Sequence, residues 1–345
     1  MITPCNWRRR LLAVLLVASL APAGASSGSE RFTTGSFAAR PAGMGWANSA
    51  LASGLSDGLY NPASLSAWSD GCHLYLNPAG LAAGLNHWNS LISGGVSSPL
   101  GELLRCGLVV KGLSWQSPVV SVGLLLSETL ATNPAVQEGK GFFPTEAILD
   151  LTFSQAAVRL RLAEPFAIGV AGYLVNREGA LPRARGYGGS YGLLIRPAPR
   201  FHIGVMYIDV PDEMADAFQE LNRTIDESMN VGLAYSPRNG LLLSLDVRNV
   251  SEEEKPAKRE LHLGGEWQAV PWLFLRAGCF EQQPRRRPVF CGGVGITTPE
   301  RGGGITEDEA SGFPLALALQ YGVQCDPSAE EWGYSHFLTC LVSLY

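Results

Sequence analysis

The sequence predicts an all-β fold, a transmembrane antiparallel β-barrel of about 14 strands. Three observations predict it: an N-terminal secretory signal, apolar residues that alternate with polar ones in pieces of about ten residues, and linkers that alternate between short and long. Only 17% of the 345 residues are charged. Soluble domains carry about 25% charged residues, so the composition also departs from that of an ordinary soluble protein.

The first 25 residues have the composition of a secretory signal peptide. A basic start at Arg8, Arg9 and Arg10 precedes an apolar stretch over residues 11–20 and a small-residue cleavage site at Ala23-Gly24-Ala25. We therefore expect cleavage near Ala25. The remaining chain has 23 basic and 31 acidic side chains, a net charge of −8. This balance argues against nucleic acid as a partner, because no basic face is available to neutralise phosphates.

The alternating pieces place apolar residues on one face and polar residues on the other. In residues 241–250 the apolar face comprises Leu241, Leu243, Leu245 and Val247, and the polar face comprises Ser244, Asp246 and Arg248. In residues 260–269 the polar face comprises Glu260, His262, Glu266 and Gln268. A period of two at this length predicts strands. A soluble sandwich also alternates, so the linkers must decide between the two folds.

Linker length separates a membrane barrel from a sandwich, because outer-membrane barrels have short turns at one end and long loops at the other. The linkers 163–165, 237–239 and 270–271 are short, and those at 211–227 and 251–259 are long. Two linkers break the alternation: 299–312 is long where a short turn is expected, and 99–105 is short where a long loop is expected. Fourteen strands are predicted, at 85–98, 104–115, 118–128, 145–162, 166–177, 186–196, 201–210, 228–236, 240–250, 259–269, 272–281, 289–298, 313–323 and 332–345.

Two features at the ends of the predicted barrel complete it. The apolar piece 72–76 would be a fifteenth strand and would break the even count of such barrels, so we expect it inside or below the barrel and not in its wall. The last strand ends on the aromatic Tyr345. A terminal aromatic strand is similar to the signal by which barrel assembly machinery recognises outer-membrane proteins, so we expect that machinery and outer-membrane lipid as partners.

An N-terminal motif precedes the strands. It comprises Ala38-Ala39-Arg40, Gly43-Met44-Gly45, Ala47, Asp57, Asn61-Pro62-Ala63 and Leu65. In residue types and spacing this motif resembles the N-terminal region of the FadL and PorV-like outer-membrane proteins. The resemblance covers about 35 residues. It implies a hatch folded into the lumen of a fourteen-stranded barrel, in the outer membrane of a Gram-negative-type bacterium.

The resemblance divides the chain into a signal peptide (1–25), a hatch (26–84) and a barrel (85–345). It assigns a hatch motif and substrate gate to Arg40, Gly43, Met44, Gly45, Asn61, Pro62 and Ala63. Pro62 lacks an N–H and fixes its own φ, and the Asn61 side chain can bond to nearby backbone. The chain holds a second copy at Asn77-Pro78-Ala79. Spacing from Gly43-Met44-Gly45 favours the first copy.

Few residues suggest other chemistry. Asp246, Arg248, His262 and Glu266 are predicted to line the lumen, as an ion-pair network or as an acid–base cluster. Residues 188–192 fit the G-x-S-x-G pattern of a nucleophile, but that pattern requires a strand–turn–helix context, and here it lies within a predicted strand. We therefore predict no enzyme activity, no catalytic residues, no metal site and no cofactor. Cys279 and Cys291 lie on neighbouring predicted strands, and the sequence alone does not decide whether they form a disulfide.

Two functions follow as expectations. A FadL-like barrel would pass small hydrophobic, fatty-acid-like molecules across the outer membrane without an energy source of its own. A PorV-like barrel would instead act as a scaffold or shuttle for secretion-system proteins. The two differ in the lumen, because a transporter needs an apolar interior and a scaffold does not.

Overall fold

The computed structural model describes residues 30–33, 39–52, 55–58, 60–65, 71–76, 110–129, 151–177, 184–209, 228–237, 240–251, 259–282, 287–297, 315–327 and 332–344. Within them the strands are β1 (Glu30–Thr33), β2 (Gly71–Leu76), β3 (Val110–Gln116), β4 (Val120–Thr129), β5 (Leu151–Ala163), β6 (Phe166–Arg177), β7 (Ala184–Ala198), β8 (Phe201–Asp209), β9 (Ser228–Tyr235), β10 (Leu241–Arg248), β11 (Glu260–Val270), β12 (Leu273–Gln282), β13 (Arg287–Thr297), β14 (Leu315–Pro327) and β15 (Trp332–Leu344).

Fourteen of these strands close into an antiparallel barrel, as the sequence predicted. Each strand from β2 to β15 pairs with its neighbours in the chain, and β15 returns to pair with β2 through Cys340 opposite Leu76 and Leu344 opposite Cys72. Strand β1 lies beside β15 in parallel, with Glu30 opposite Tyr334. Closure leaves no free sheet edge between β2 and β15 where they pair.

The placement of residues 72–76 was wrong. They form β2, a wall strand that pairs with β3 and β15 and closes the barrel. The count of 14 is correct, but β2 lies N-terminal to the expected barrel boundary at residue 85. The first predicted strand, 85–98, lies outside the described residues, as do the signal peptide, the second Asn-Pro-Ala copy and Tyr345.

The two faces of the wall differ as the alternation predicted. Large apolar side chains are exposed on the outer face, among them Leu243, Leu261, Leu263, Trp267 and Phe290. Polar side chains of the same strands point inward and are buried, among them Ser244, Asp246, Arg248, His262 and Glu266. A wall of this kind suits an apolar surrounding outside and a polar filling inside.

The connections define the two ends of the barrel. Residues 117–119, 164–165, 199–200, 236–240 and 271–272 join strands at one end, which we call the turn side, and the other end is the loop side. The described helices are short: α1 (Ala39–Gly43), α2 (Leu55–Gly58) and a 3₁₀ turn (Pro62–Ser64). None of the described helices is long and apolar enough to cross a membrane.

Candidate functional site

Residues 39–52, 55–58 and 60–65, which we call the interior segment, lie inside the barrel. Eight strands, β6–β9 and β11–β14, each provide an inward glycine where a Cβ atom would come within 3.1 Å of this segment. These positions are Gly169, Gly192, Gly204, Gly232, Gly264, Gly278, Gly293 and Gly322. The wall is therefore fitted to the segment at backbone level around more than half of its circumference.

The Gly43-Met44-Gly45 unit packs closely on the wall at both of its glycines, and Gly45 is the one whose backbone requires glycine. Gly45 has a φ of +62°, which is in the left-handed region, and a Cβ atom there would lie 2.6 Å from the carbonyl oxygen of Leu263. Gly43 packs against the backbone of Gly293, and its Cβ would lie 3.1 Å from that Cα. Met44 is fully buried between them. The motif thus lets the chain reverse tightly against the wall.

Trp46 follows this reversal with its own φ of +65°, an unusual conformation for a bulky residue. Its side chain is buried, and its indole N–H donates to Gln324 at 3.0 Å. Its ring meets those of Tyr60 and Phe337 edge to face, with centroids 6.1 and 5.5 Å away. These contacts hold the strained backbone in place.

Arg40 is the central charge of the segment. Its guanidinium binds Glu266 of β11 through two hydrogen bonds, 2.9 Å from Nε and 3.1 Å from Nη2. Its Nη1 binds Asp57 of α2 at 2.9 Å. Glu266 also accepts from Nε of Arg276 at 2.6 Å. Burial alone would lower the pKa of Arg40, but the two carboxylates outweigh burial and raise it.

Asp246 anchors the following turn. A single carboxylate oxygen, Oδ2, accepts from the backbone N–H groups of Asn48 and Ser49 and from the Ser49 hydroxyl, each at 2.8 Å. Arg248 Nη2 lies 3.8 Å from the same oxygen and donates to the carbonyl of Trp46. Both β10 side chains are fully buried. They therefore serve the interior segment and not a water-filled lumen.

His262 links the segment to β11. Its Nδ1 lies 2.7 Å from the carbonyl oxygen of Gly45, which can only accept, so Nδ1 carries a proton. Its Nε2 lies 3.2 Å from Glu260 Oε2, and the ring stacks on Phe280 with centroids 4.7 Å apart. The arrangement fixes the ring against the Gly-Met-Gly unit.

Asn61 shapes the second half of the segment. Its Oδ1 accepts from the N–H of Ala63 at 3.0 Å, which caps the 3₁₀ turn that begins at Pro62. Its Nδ2 donates to the carbonyl of Ser49 at 2.7 Å and to that of Leu193 in β7 at 3.2 Å. One side chain therefore joins two parts of the segment to the wall.

Apolar side chains fill the loop-side half of the lumen above these anchors. Tyr60 and Trp46 of the segment belong to the same buried cluster as inward residues of the wall. The wall members include Leu125, Tyr173, Met206, Ile208, Phe280, Val289 and Phe337. The loop-side interior is thus mainly apolar, except on β10 and β11, where Arg248 and Glu260 lie opposite each other at the loop-side ends of the two strands.

The structure brings all eleven predicted site residues into or against this one network. Asp246, Arg248, His262 and Glu266 form ion pairs and hydrogen bonds with the segment, as one of the two sequence alternatives expected. Sequence reasoning did not assign roles to Asn48, Ser49, Glu260 or Arg276. Their only signal was an inward position on a predicted strand or a place within the motif.

The remaining predictions concern chemistry elsewhere. Ser190 lies in the middle of β7, as expected, with its hydroxyl 2.5 Å from that of Tyr173. Cys279 pairs with Phe290 and Gly278 pairs with Cys291 across β12 and β13, so the two cysteines point to opposite faces and are both free. The described residues hold no group of three or more His, Cys, Asp or Glu that could bind a metal.

No protein-family model matches the sequence, and no curated protein matches it. Solved structures with a similar course of the chain include the toluene transporters TbuX of Ralstonia pickettii (11% identity, 89% of this chain and 97% of that one, TM-score 0.48) and TodX of Pseudomonas putida (11%, 91% and 99%, TM-score 0.49). A porin of Rh. blastica is similar over 68% of this chain with a TM-score of 0.32. The closed fourteen-stranded barrel implied by the FadL-like motif is the fold that the chain has.

Proposed function

We propose that this protein is a FadL-like outer-membrane barrel that lets small hydrophobic molecules cross passively, with the interior segment as its hatch. The observation that carries the proposal is the apolar cluster in the loop-side half of the barrel, which includes Trp46 and Tyr60 of the segment. A hydrophobic molecule that enters from the loop side would meet apolar side chains and then the hatch.

The outer face supports a place in a membrane. Exposed large apolar residues occur on strands around the barrel, for example Trp115, Val170, Leu243 and Phe290. Contiguous apolar surface of this extent is unusual on a soluble monomer. Short turns lie at the periplasmic end of outer-membrane barrels, so we place the turn side in the periplasm.

The anchors of the segment suit a hatch that moves. The polar anchors of the segment are ion pairs and hydrogen bonds, such as those of Arg40 to Glu266 and of Ser49 to Asp246. Such bonds can exchange with water when the segment shifts, whereas the wall keeps its own backbone pairing. Passage would then follow the concentration gradient of the hydrophobic molecule.

Uptake by cells tests the proposal, because a bare lipid bilayer does not hold back hydrophobic molecules as the outer membrane does. The protein is expressed in a Gram-negative host without its own fatty-acid uptake barrel, and entry of radiolabelled dodecanoate is measured. We expect faster entry than in the empty host. If folded protein in the outer membrane leaves entry unchanged, the transport proposal is wrong.

A further inference from the structure

Three arginines face the lumen on the turn side, below the hatch. Arg159 and Arg161 lie on β5, where their neighbours Leu160 and Leu162 are exposed on the outer face. Arg196 lies near the end of β7, beside the short connection to β8. Each is within four residues of the turn-side end of its strand. They therefore form a basic group at the periplasmic mouth of the lumen.

The three guanidinium groups lie close enough to act on one another. Arg161 and Arg196 both exert an electrostatic effect on Arg159, and Arg161 exerts one on Arg196. Strand β6 lies between them, and it presents only Ala167 and Gly169 inward at these levels. The backbone of Pro62 and Ala63 lies over Gly169, so the arginines flank the hatch at this level.

These arginines lack acidic partners among the described residues. Glu164, the acid nearest in sequence, is exposed in the turn after β5 and forms no ion pair with them. Arg161 donates to the carbonyl of Pro118 at 3.4 Å. The Arg40 group differs, because there two arginines share two carboxylates. A positive group of this size normally attracts counter-charge.

The clearest indication of a ligand site comes from Arg159. Its side chain is 4% exposed, yet its Nε has no hydrogen-bond partner in the described part of the chain. Within the described residues, its side chain makes one hydrogen bond, a long one of 3.4 Å from Nη1 to the Ser121 hydroxyl. A guanidinium carries five donors, and leaving them unmet in a buried place is costly.

We propose that Arg159, Arg161 and Arg196 form an oxyanion site at the turn-side mouth, for a carboxylate or phosphate group. Guanidinium groups bind such planar or tetrahedral oxyanions through paired N–H donors. An apolar layer of Ala63, Ala167 and Leu194 lies beside this site. The oxyanion is either a free ion or the head group of an amphiphile whose tail lies against that layer.

Binding to the purified, detergent-solubilised barrel tests the site independently of transport. The probes are inorganic phosphate, octanoate and, as a neutral control, octanol, each titrated by calorimetry. We expect saturable binding of at least one anion. Octanoate binding more than tenfold tighter than phosphate identifies a head-group site, and comparable or tighter phosphate binding identifies a free-ion site.

The variant is Arg161→Gln/Arg196→Gln, which leaves the hatch anchors intact. Its matched control is Arg200→Gln, which removes a charge from the adjacent exposed turn. We expect anion affinity to fall at least tenfold in the double variant and less than twofold in the control. Absence of anion binding to the wild type, equal losses in both variants, or octanol binding as tight as that of octanoate would overturn the proposal.

Discussion

Among single residues, Asn61 makes the most specific prediction. Asn61→Ala removes the cap on Ala63 and the bonds to Ser49 and Leu193, so the hatch should loosen by about 1–2 kcal/mol. The pairing between the wall strands does not depend on these side-chain bonds, so the barrel should still assemble. Dodecanoate uptake should change, while the faster migration of unheated protein on gels should not.

Asn77→Ala is the control for Asn61→Ala, because it alters the same tripeptide in its second copy. We expect less effect on uptake there. Loss of assembly in Asn61→Ala would make the turn part of the scaffold, and an uptake change confined to Asn77→Ala would identify the second copy as the functional one.

A glycine of the wall offers a matched pair. An Ala at position 192 would place its Cβ 2.0 Å from Asn61 Oδ1 and 2.8 Å from the Ala63 N–H, whereas a Cβ at Gly172 would meet nothing within 4 Å. Gly192→Ala should therefore displace the turn at a cost of about 1–3 kcal/mol. Amide hydrogen exchange at Ala63 should accelerate in Gly192→Ala and stay unchanged in Gly172→Ala. Equal exchange in the two variants would show that the turn does not pack on β7.

The sequence predicted which residues of the motif are important, but it did not predict the residues that they contact. Arg40 and Asn61 stood out because the motif has a fixed spacing. Arg276 and Glu260 did not, because any inward polar residue of a barrel strand can face water instead of a second charge. The sequence also gave no sign of the role of the inward glycines, because only the packed segment shows why a side chain is excluded there.

At the level of elements, the interior segment is predicted to be held mainly by Arg40. Arg40→Met leaves Asp57 and Glu266 buried without their shared partner, which should destabilise docking by roughly 3–5 kcal/mol. Exchange of the amides in α1 and α2 should accelerate more than a hundredfold, and strand amides should remain protected. The control is Arg259→Met on the exposed start of β11. If Arg40→Met unfolds the strands as well, the segment and wall form one folding unit.

Strand β10 tests which face meets the membrane. Leu243 is 46% exposed on the outer face, so Leu243→Arg should lower the free energy of unfolding in lipid vesicles by about 2–4 kcal/mol if it lies near the midplane. Leu243→Met, which keeps the volume and polarity, should cost less than about 1.5 kcal/mol. A similar small cost for both would mean that this face contacts water.

Element prediction succeeded where strands were long and failed at β2. Thirteen predicted strands correspond to β3–β15, because nine to eleven alternating residues produce a clear signal. Gly71–Leu76 has only six residues, so its pattern could not be told from an ordinary apolar turn. The predicted count also reached fourteen through residues 85–98, which lie outside the described residues, so parity gave the right number while residues 72–76 were left out of the wall.

At the level of the whole molecule, the closure of the barrel and the presence of a segment inside it could be predicted separately from the sequence. Alternating linkers indicated a closed barrel, and the motif indicated a segment inside it. The placement of the apolar cluster, the hatch anchors and the basic turn-side group within the lumen depends on the strand register. A slip of one residue in register shifts every side chain of a strand to the other face. That register could not be obtained from composition or period.

The central claim is that hydrophobic molecules pass only when the interior segment moves. A disulfide between Gly43→Cys and Arg276→Cys tests it, because the two Cβ atoms would lie 3.4 Å apart, close to the usual spacing of about 3.5–4.5 Å. Gly43→Cys alone controls for the new side chain and for oxidation of native cysteines. Dodecanoate uptake should fall to the level of the empty host when the double variant is oxidised and recover on reduction. Equal uptake by the oxidised and reduced forms, with the cross-link verified on gels, would contradict the hatch account.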